Sequence, residues 1–310
     1  PVLQGVFWVG AKLFPLSIIK TIIFFKVVIV IADVGIFFLM KQLLKQLSLP
    51  KHLSLMYFLN PLVIEELTGN AHFEGLMIFF ALFAFLFLFK MRWMSTAIAI
   101  GFGIATKILP ILFIPLIFKK LGFKKGVLFA VIAGVVTFFL FLLVFNISTV
   151  QHLLNSINLF FRNFEFNASI YYLVRWIGER VTGYNIIARA GPILSLTAAL
   201  IIFIVSFSNQ KYSSQILFRN ALFIISTWFL FSTTVHPWYI CLPLALSVFT
   251  TFRFPIVWSF TALLSYAAYQ SIPVHENLWL IGAGYIFMIG YGLWEMWKTP
   301  AQKPQTITKN

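Results

Sequence analysis

The chain has little charge and almost no cysteine. Charged residues make up 10% of its 310 residues, against about 25% in a typical soluble domain, and hydrophobic residues make up 61%. The single cysteine, Cys241, excludes a disulfide within the chain. The sequence contains no Walker loop, dinucleotide-binding glycine motif or HExxH motif, and its scattered histidines specify no metal site. This composition excludes a soluble globular domain and predicts a multi-pass helical membrane protein.

Basic residues outnumber acidic residues by 23 to 8, which gives a formal net charge of +15 at pH 7. A similar excess occurs in nucleic-acid-binding proteins, but many of the lysines here fall in short loops between apolar runs. Lysines at such positions orient membrane helices and contact lipid headgroups. We therefore expect membrane lipids as partners and no nucleic acid.

Apolar runs divide the chain into candidate membrane segments. These runs cover residues 17–40, 54–68, 76–89, 93–106, 108–118, 126–146, 191–207, 220–235, 237–252, 255–271 and 279–297. Several runs are shorter than the roughly 20 residues of a full span, so we expect an all-α fold of about 10 or 11 transmembrane or half-length helices. In this interpretation residues 1–297 form a single membrane domain, and residues 298–310 form a disordered cytoplasmic tail.

The stretch 93–118 is apolar apart from Lys107 near its middle. One continuous helix would place the next four lysines on the outer side of the membrane, against the positive-inside rule. We therefore predict a bend near Lys107 and Pro110. The chain then starts outside and ends inside. Because its first residue is Pro1 and not methionine, we also expect that part of the protein precedes it.

The loops between these segments alternate between loops rich in lysine and arginine and loops that carry glutamate and histidine. The basic set comprises Lys41, Lys45, Lys51, Lys90, Arg92, Lys119, Lys120, Lys124, Lys125, Lys211, Arg219, Arg253, Lys298, Lys303 and Lys309. The other set comprises Glu65, Glu66, His72, Glu74, His152, Glu165, Glu179, His236, His275 and Glu276. By the positive-inside rule the basic set is cytoplasmic, so we expect chemistry at the exoplasmic face. The long polar stretch 147–190 belongs to that face and is predicted to be functional.

Four ionisable groups follow one another at the outer face. They are Glu65, Glu66, His72 and Glu74. Gly69 can end the first helix and Asn70 is a suitable N-cap for the second, which would place His72 and Glu74 in its first turn. The N–H groups of that turn would form an anion site. Clustered charges at a membrane surface favour a functional site over a simple hydrated turn.

Three cationic groups are candidates for holding a phosphate. Lys107 lies alone among apolar residues, and its alternative role is that of a snorkelling lysine. Arg175 is the best candidate among the arginines of 147–190, because a guanidinium binds phosphate through two hydrogen bonds. His236 can bind phosphate when charged or transfer a proton, and its alternative role is in an interfacial turn.

A second group of residues suits a sugar, which has apolar faces and hydroxyl edges. This group comprises Glu165, Asn167, Tyr171, Tyr172, Trp238 and Tyr239. The alternative is an aromatic belt at the interface. Asp33 lies within a span nearer its cytoplasmic end, and we expect it to pair structurally with Lys26. His275 and Glu276 are interpreted as ordinary loop residues.

Four short patterns, in this order, resemble those of a known enzyme family. Residues 1–4 resemble the end of a Tyr-Pro-Pro-hydrophobic-x-Gln stretch, and residues 60–75 resemble an Asn-Pro…Glu…Gly-x-x-His-x-Glu pattern. Residues 103–110 resemble Gly-hydrophobic-Ala-x-Lys-x-x-Pro, and residues 236–239 read His-Pro-Trp-Tyr. Together they resemble the GT-C-fold mannosyltransferases that use polyprenyl-phosphate-mannose as donor. The chain is expected to be an N-terminally incomplete member of that family.

The resemblance implies inverting transfer of a hexose, mannose above all, to a lipid or glycan acceptor at the periplasmic face of a bacterial plasma membrane. It also implies that no metal, cofactor or nucleotide sugar is needed. The family's catalytic aspartate would lie upstream of Pro1, with the pair Glu65 and Glu66 as fallback. We assign catalytic support to Glu66, His72 and Glu74. A transporter or lipid flippase, or a non-catalytic scaffold, is the alternative, although polar groups confined to one face favour an enzyme.

Overall fold

The computed structural model describes residues 1–208, 213–270 and 272–298. The protein is 81% helical. Within the described ranges, β-structure is limited to one isolated bridge between Phe166 and Thr234. The predicted all-α fold is therefore confirmed. Lys211 and the predicted disordered tail beyond Lys298 lie outside the described residues.

The described helices vary widely in length. In chain order they are α1 (Val2–Leu13), α2 (Ile18–Gln46), α3 (Leu55–Phe58), α4 (Pro61–Val63), α5 (Glu74–Phe89), α6 (Trp93–Thr106), α7 (Ile114–Leu121), α8 (Phe123–Leu142), α9 (Ile147–Arg162), α10 (Ile170–Thr182), α11 (Ile187–Phe207), α12 (Ser214–Phe231), α13 (Cys241–Ser247), α14 (Phe254–Ala262) and α15 (Leu278–Lys298). Short connecting helical segments are the 3₁₀ turns Lys51–Ser54, Leu109–Phe113, Pro237–Ile240 and Leu263–Gln270 and the π-helical turn Ile64–Gly69.

Five helices in the described part of the chain are long and apolar enough to cross a membrane, namely α2, α8, α11, α12 and α15. A sixth candidate is the pair formed by residues 61–69 and α5, which is bent by 113°. Shorter apolar helices are α1, α6 and residues 237–247. The predicted polytopic membrane protein is confirmed, with some of the predicted segments present as broken or short helices.

The predicted bend near Lys107 and Pro110 is present. Helix α6 ends at Thr106, and Lys107 has an extended backbone with φ of −152° and ψ of 137°. The next 3₁₀ turn starts at Leu109, so Pro110 stands at its beginning, where a missing N–H costs no helical hydrogen bond. The bend places Lys107 at the C-terminal end of α6, where its N–H still donates to the Gly103 carbonyl at 3.0 Å.

Helix α5 lies inside the bundle and packs against α2 and α6. After Glu74 and Gly75 its sequence is entirely apolar, and residues on several sides of it are buried, as expected for a helix without a polar face. Helix α6 approaches α8 closely at Gly101, where a Cβ atom would lie only 2.7 Å from Cγ1 of Val136. A small residue is therefore needed at this crossing.

The polar stretch 147–190 contains two helices, α9 and α10. Gly183, in a left-handed conformation with φ of 79°, ends α10. The segment before α10 is attached to the segment after α12, since Phe166 N–H donates to the Thr233 carbonyl at 3.1 Å and Val235 N–H donates to the Phe166 carbonyl at 2.9 Å. These bonds bring the polar stretch beside His236.

Candidate active site

The turn between residues 61 and 74 places two adjacent glutamates in different environments. Asn60 caps α4, because its side-chain oxygen accepts from Leu62 N–H at 3.0 Å, and the chain then winds through the π-helical turn. Successive residues of a helical turn point to different sides, and here Glu65 is exposed while Glu66 is fully buried. Only Glu66 of the pair faces the interior.

The buried carboxylate of Glu66 has three polar neighbours. The Tyr266 hydroxyl donates to its Oε1 at 2.5 Å, and Asn70 Nδ2 donates to its Oε2 at 3.4 Å. His72 Nε2 lies 3.4 Å from Oε2. This distance is longer than a usual N–H···O hydrogen bond, so Glu66 faces the Nε2 side of His72 without a close bond to it.

Both active-site imidazoles stack on one indole. The ring of His72 lies 3.7 Å from that of Trp238 with an interplanar angle of 16°, and the ring of His236 lies 4.4 Å from it at 5°. Pro237 begins the short helix that carries Trp238, so the direction of the chain after His236 is fixed by the proline. The stack joins the 61–74 turn to the segment that follows α12.

Beside this stack lies an ion pair between Lys107 and Glu74. The Glu74 side chain is only 5% exposed, whereas that of Lys107 is 29% exposed. The ammonium also lies 4.1 Å from the centre of the Tyr239 ring, a cation–π contact. Lys107 at the end of α6 is therefore joined to Glu74 at the start of α5 by their opposite charges. We call these seven residues, Glu66, His72, Glu74, Lys107, His236, Trp238 and Tyr239, the His72 cluster.

Electrostatics keep both histidines of the His72 cluster neutral at pH 7. Burial first, and then the nearby Lys107 and His72, together lower the pKa of His236 to about 4. Burial also lowers the pKa of His72, although Glu74 and Glu66 oppose this shift. The buried Nδ1 of His236 makes no hydrogen bond within the described ranges. A ligand could satisfy this atom.

A second polar cluster, the Arg175 cluster, joins α10 to the segments around it. It comprises Glu165, Asn167, Tyr171, Tyr172, Arg175 and Glu276. Arg175 pairs with Glu165, lies 3.7 Å from Glu179, and stacks its guanidinium 4.7 Å from the Tyr172 ring centre. The Tyr171 hydroxyl donates to Glu165 at 2.5 Å, and burial together with this bond raises the pKa of Tyr171. The cluster fixes the segment before α10.

The interpretation of Glu276 as an ordinary loop residue is wrong, because its carboxylate is part of the Arg175 cluster. Glu276 accepts from Asn167 N–H at 2.6 Å and from the Tyr172 hydroxyl. Asn167 also donates its amide to the Val235 carbonyl at 2.9 Å, and its own carbonyl accepts from Tyr285 at 2.8 Å. No local pattern around Glu276 indicates these partners, since they lie more than a hundred residues away in sequence.

The structure brings the predicted site residues together at one end of the bundle, in two adjoining clusters. The ring of Phe166, between Glu165 and Asn167, lies 5.1 Å from that of His236 and so joins the two. Tyr171 is fully buried, which leaves none of its ring open to a ligand in this conformation. Lys107 and Arg175, two of the three predicted phosphate ligands, are already paired with carboxylates. The binding roles of these residues remain predictions.

Three further local predictions are wrong. His72 does not lie in the first turn of α5, because the helix starts only at Glu74. Asn70 does not cap α5, which starts after Phe73 without a side-chain cap, because the Asn70 amide bonds Glu66 instead. Lys26 does not pair with Asp33, since its ammonium donates to the Gly69 carbonyl at 2.9 Å. A Cβ atom on Gly75 would lie 3.2 Å from Asp33 Oδ1, so this aspartate lies at the level of the His72 cluster.

The side chains of the site are of the kinds that contact a hydroxyl-rich ligand. Buried carboxylates and a neutral imidazole accept hydrogen bonds, and stacked aromatic rings offer apolar surface. Within the ranges that the structure covers, no three His, Cys, Asp or Glu side chains are grouped as metal ligands.

Residues 3–121 match the family model described as alpha-(1->6)-mannopyranosyltransferase, N-terminal domain. This region runs from α1 to the end of α7 and includes four members of the His72 cluster, Glu66, His72, Glu74 and Lys107. No curated protein and no solved structure matches the chain. Residues 3–121 are thus similar to a mannosyltransferase domain, and this similarity supports a glycosyltransferase.

Proposed function

We propose that the chain is part of a GT-C-fold membrane glycosyltransferase that moves mannose from a polyprenyl phosphate to a hydroxyl of a lipid or glycan acceptor. The observation that supports this most is that the region matched by the family model contains part of the His72 cluster. The region similar to mannosyltransferases supplies the buried Glu66, His72 and the Glu74–Lys107 pair. These groups lie at the end of the bundle that also carries the aromatic and hydrogen-bonding residues proposed to bind the sugar.

The proposed reaction is a single displacement. The acceptor oxygen forms a bond to the anomeric carbon of mannose while the bond from that carbon to the donor phosphate oxygen breaks. The hydroxyl proton passes to a base, and the phosphate leaves with the bonding electrons, which inverts the anomeric centre. Base assistance of this kind is typically worth about 10²–10⁴-fold in rate. By the family resemblance, that base is a carboxylate.

In this proposal Glu66 and His72 orient the reacting hydroxyl. Because His72 Nε2 faces Glu66, its Nδ1 is left to accept a hydrogen bond from a sugar or acceptor hydroxyl. Tyr266 fixes the other oxygen of Glu66, so the carboxylate is held in one orientation. Preorganised groups of this kind lower the cost of positioning the reactants.

His236 and Lys107 are the proposed contacts of the leaving phosphate. The unpaired Nδ1 of His236 is buried, and a phosphate beside it would raise the pKa of His236 from its low value and allow the charged ring to donate. Lys107 would share its charge between Glu74 and the phosphate. Arg175 is a weaker candidate than the sequence suggests, because Glu165 and Glu179 already hold its guanidinium.

A donor-class assay tests the function. The purified full-length protein would be incubated with a lipid extract as acceptor and with radiolabelled mannose on polyprenyl phosphate, in parallel with GDP-mannose and with polyprenyl-phosphate-glucose. We expect label in the acceptor lipid or glycan only from polyprenyl-phosphate-mannose. Transfer from GDP-mannose alone would contradict the proposed donor, and no transfer from any donor would contradict the enzymatic role.

The proposed exoplasmic face has its own test. Cys241 is buried, so the natural chain gives little background for thiol labelling. Glu65 and Lys90 are both exposed, and the proposal places them on opposite sides of a bacterial plasma membrane. In intact cells a membrane-impermeant maleimide should label Glu65→Cys and spare Lys90→Cys. Labelling with the reverse preference would place the His72 cluster at the cytoplasmic face.

A further inference from the structure

A cavity of about 690 Å³ lies at the other end of the bundle from the His72 cluster. Its lining includes Arg219 near the start of α12 and the 249–253 segment. The His72 cluster is reached only after the end of α12 at Phe231, about 18 Å further along the helix at 1.5 Å per residue. The cavity is therefore separate from the proposed active site. Its volume falls within the range of about 300–1,000 Å³ usual for small-molecule sites.

Two arginines line this cavity, and none of its described lining residues is acidic. Arg253 is largely committed to the fold, because its Nη1 donates to the carbonyls of Ser247, Thr250 and Phe252 at 2.7–3.0 Å. The nearby carboxylate of Glu295 accepts from Arg253 N–H at 2.7 Å. Arg253 thus shapes the wall and has limited charge to offer a ligand.

Arg219 is in a different position. It is half-buried, and its side chain makes no hydrogen bond or ion pair with any residue in the described ranges. Its guanidinium is open to the cavity, so its donors can meet an anion or water there. The cavity around it has apolar walls, formed by Ile216, Phe223 and Phe249, and a polar group, the side chain of Asn220.

This combination fits an amphiphile with an anionic head. A free anion would leave the apolar walls unused, whereas a neutral apolar ligand would leave Arg219 unpaired. By the positive-inside rule this end of the bundle is cytoplasmic, where anionic lipids are concentrated. We propose that this hollow, the Arg219 cavity, binds the phosphate head of an anionic membrane lipid, with Arg219 as the phosphate ligand and Phe223 and Phe249 along the tail. The proposal is independent of the catalytic one.

Lipid retention by the purified full-length protein tests the assignment. The protein would be equilibrated in detergent with phosphatidylglycerol, with phosphatidylcholine or with inorganic phosphate, and bound molecules counted by native mass spectrometry. We expect phosphatidylglycerol to be retained over phosphatidylcholine. Arg219→Gln should weaken this retention about tenfold, as the loss of a charge-assisted bond predicts. Arg219→Lys should keep part of it.

Arg92→Gln is the matched control, since Arg92 is exposed in another loop of the same basic set. It should retain phosphatidylglycerol like the natural protein. Equal retention of both lipids by the natural protein, or equal losses in Arg219→Gln and Arg92→Gln, would overturn the proposal. Displacement of the lipid by millimolar inorganic phosphate would identify a free-anion site and would also overturn it. A thermal melt of each variant separates misfolding from loss of binding.

Discussion

Replacing Lys107 by methionine removes the charge that compensates Glu74 while keeping a side chain of similar length. Glu74 is 5% exposed and would be left as an unpaired carboxylate inside the bundle. Removing one partner of a buried ion pair costs about 3–5 kcal/mol. Because the Lys107 side chain is 29% exposed, water can reach part of the site and we expect the lower end, about 3 kcal/mol. The lost contact with the Tyr239 ring acts in the same direction.

A thermal melt in detergent measures this effect. A loss of 1 kcal/mol lowers the Tm of a large domain by about 2 °C, so Lys107→Met should melt about 6 °C lower. The double variant Lys107→Met, Glu74→Gln removes both charges and should recover most of this loss. Lys90→Met, which removes an exposed lysine, should melt like the natural protein. If the double variant melts no higher than Lys107→Met, an unpaired Glu74 is not the cause.

Three further predictions concern single positions. The pKa of His236 is about 4 in the fold against about 6.5 in an unfolded chain, so between these values only the unfolded chain takes up the proton and stability falls as the pH drops. His236→Gln should flatten the dependence of Tm on pH in that window, and an unchanged slope would contradict the assignment. Glu276→Ala leaves the Tyr172 hydroxyl without its acceptor and should cost about 1–3 kcal/mol, seen as faster proteolysis near α10, while equal proteolysis would show that this bond is dispensable. Gly101→Ala should lower the free energy of unfolding by about 1–3 kcal/mol through its clash with Val136, and the further change Val136→Ala should restore it. An unchanged Tm in Gly101→Ala would show that α6 and α8 can move apart without cost.

Features that depend on the local sequence were predictable. Proline, an isolated lysine and the charge rule placed the break at Lys107 and Pro110, and the structure has it there. Long apolar runs predicted the membrane-spanning helices, and five of them are present in the described ranges. Glu74 lies in the first turn of α5, as predicted, because the chain must restart its helix after Gly69. In each case the cause lies within a few residues of the effect.

Features that depend on distant partners were not predictable. Tyr266 bonds Glu66 across 200 positions of the sequence, and Glu276 bonds Tyr172 across 104. The π-helical turn that buries Glu66 and exposes Glu65 also has no clear local signal. Composition could identify which residues are chemically capable, but only the packing of distant helices decides which of them are free and which are paired.

The rate of mannose transfer in two neighbouring glutamine variants tests the central claim most directly. Glu66 is fully buried and lies 3.4 Å from His72, whereas Glu65, one position earlier, is exposed. In the full-length protein, with polyprenyl-phosphate-mannose as donor, we expect Glu66→Gln to lower kcat/KM at least about tenfold, since a preorganised group is lost. Glu65→Gln should transfer at the natural rate, and both should melt alike. Equal kcat/KM in the two variants would contradict a catalytic role for the His72 cluster.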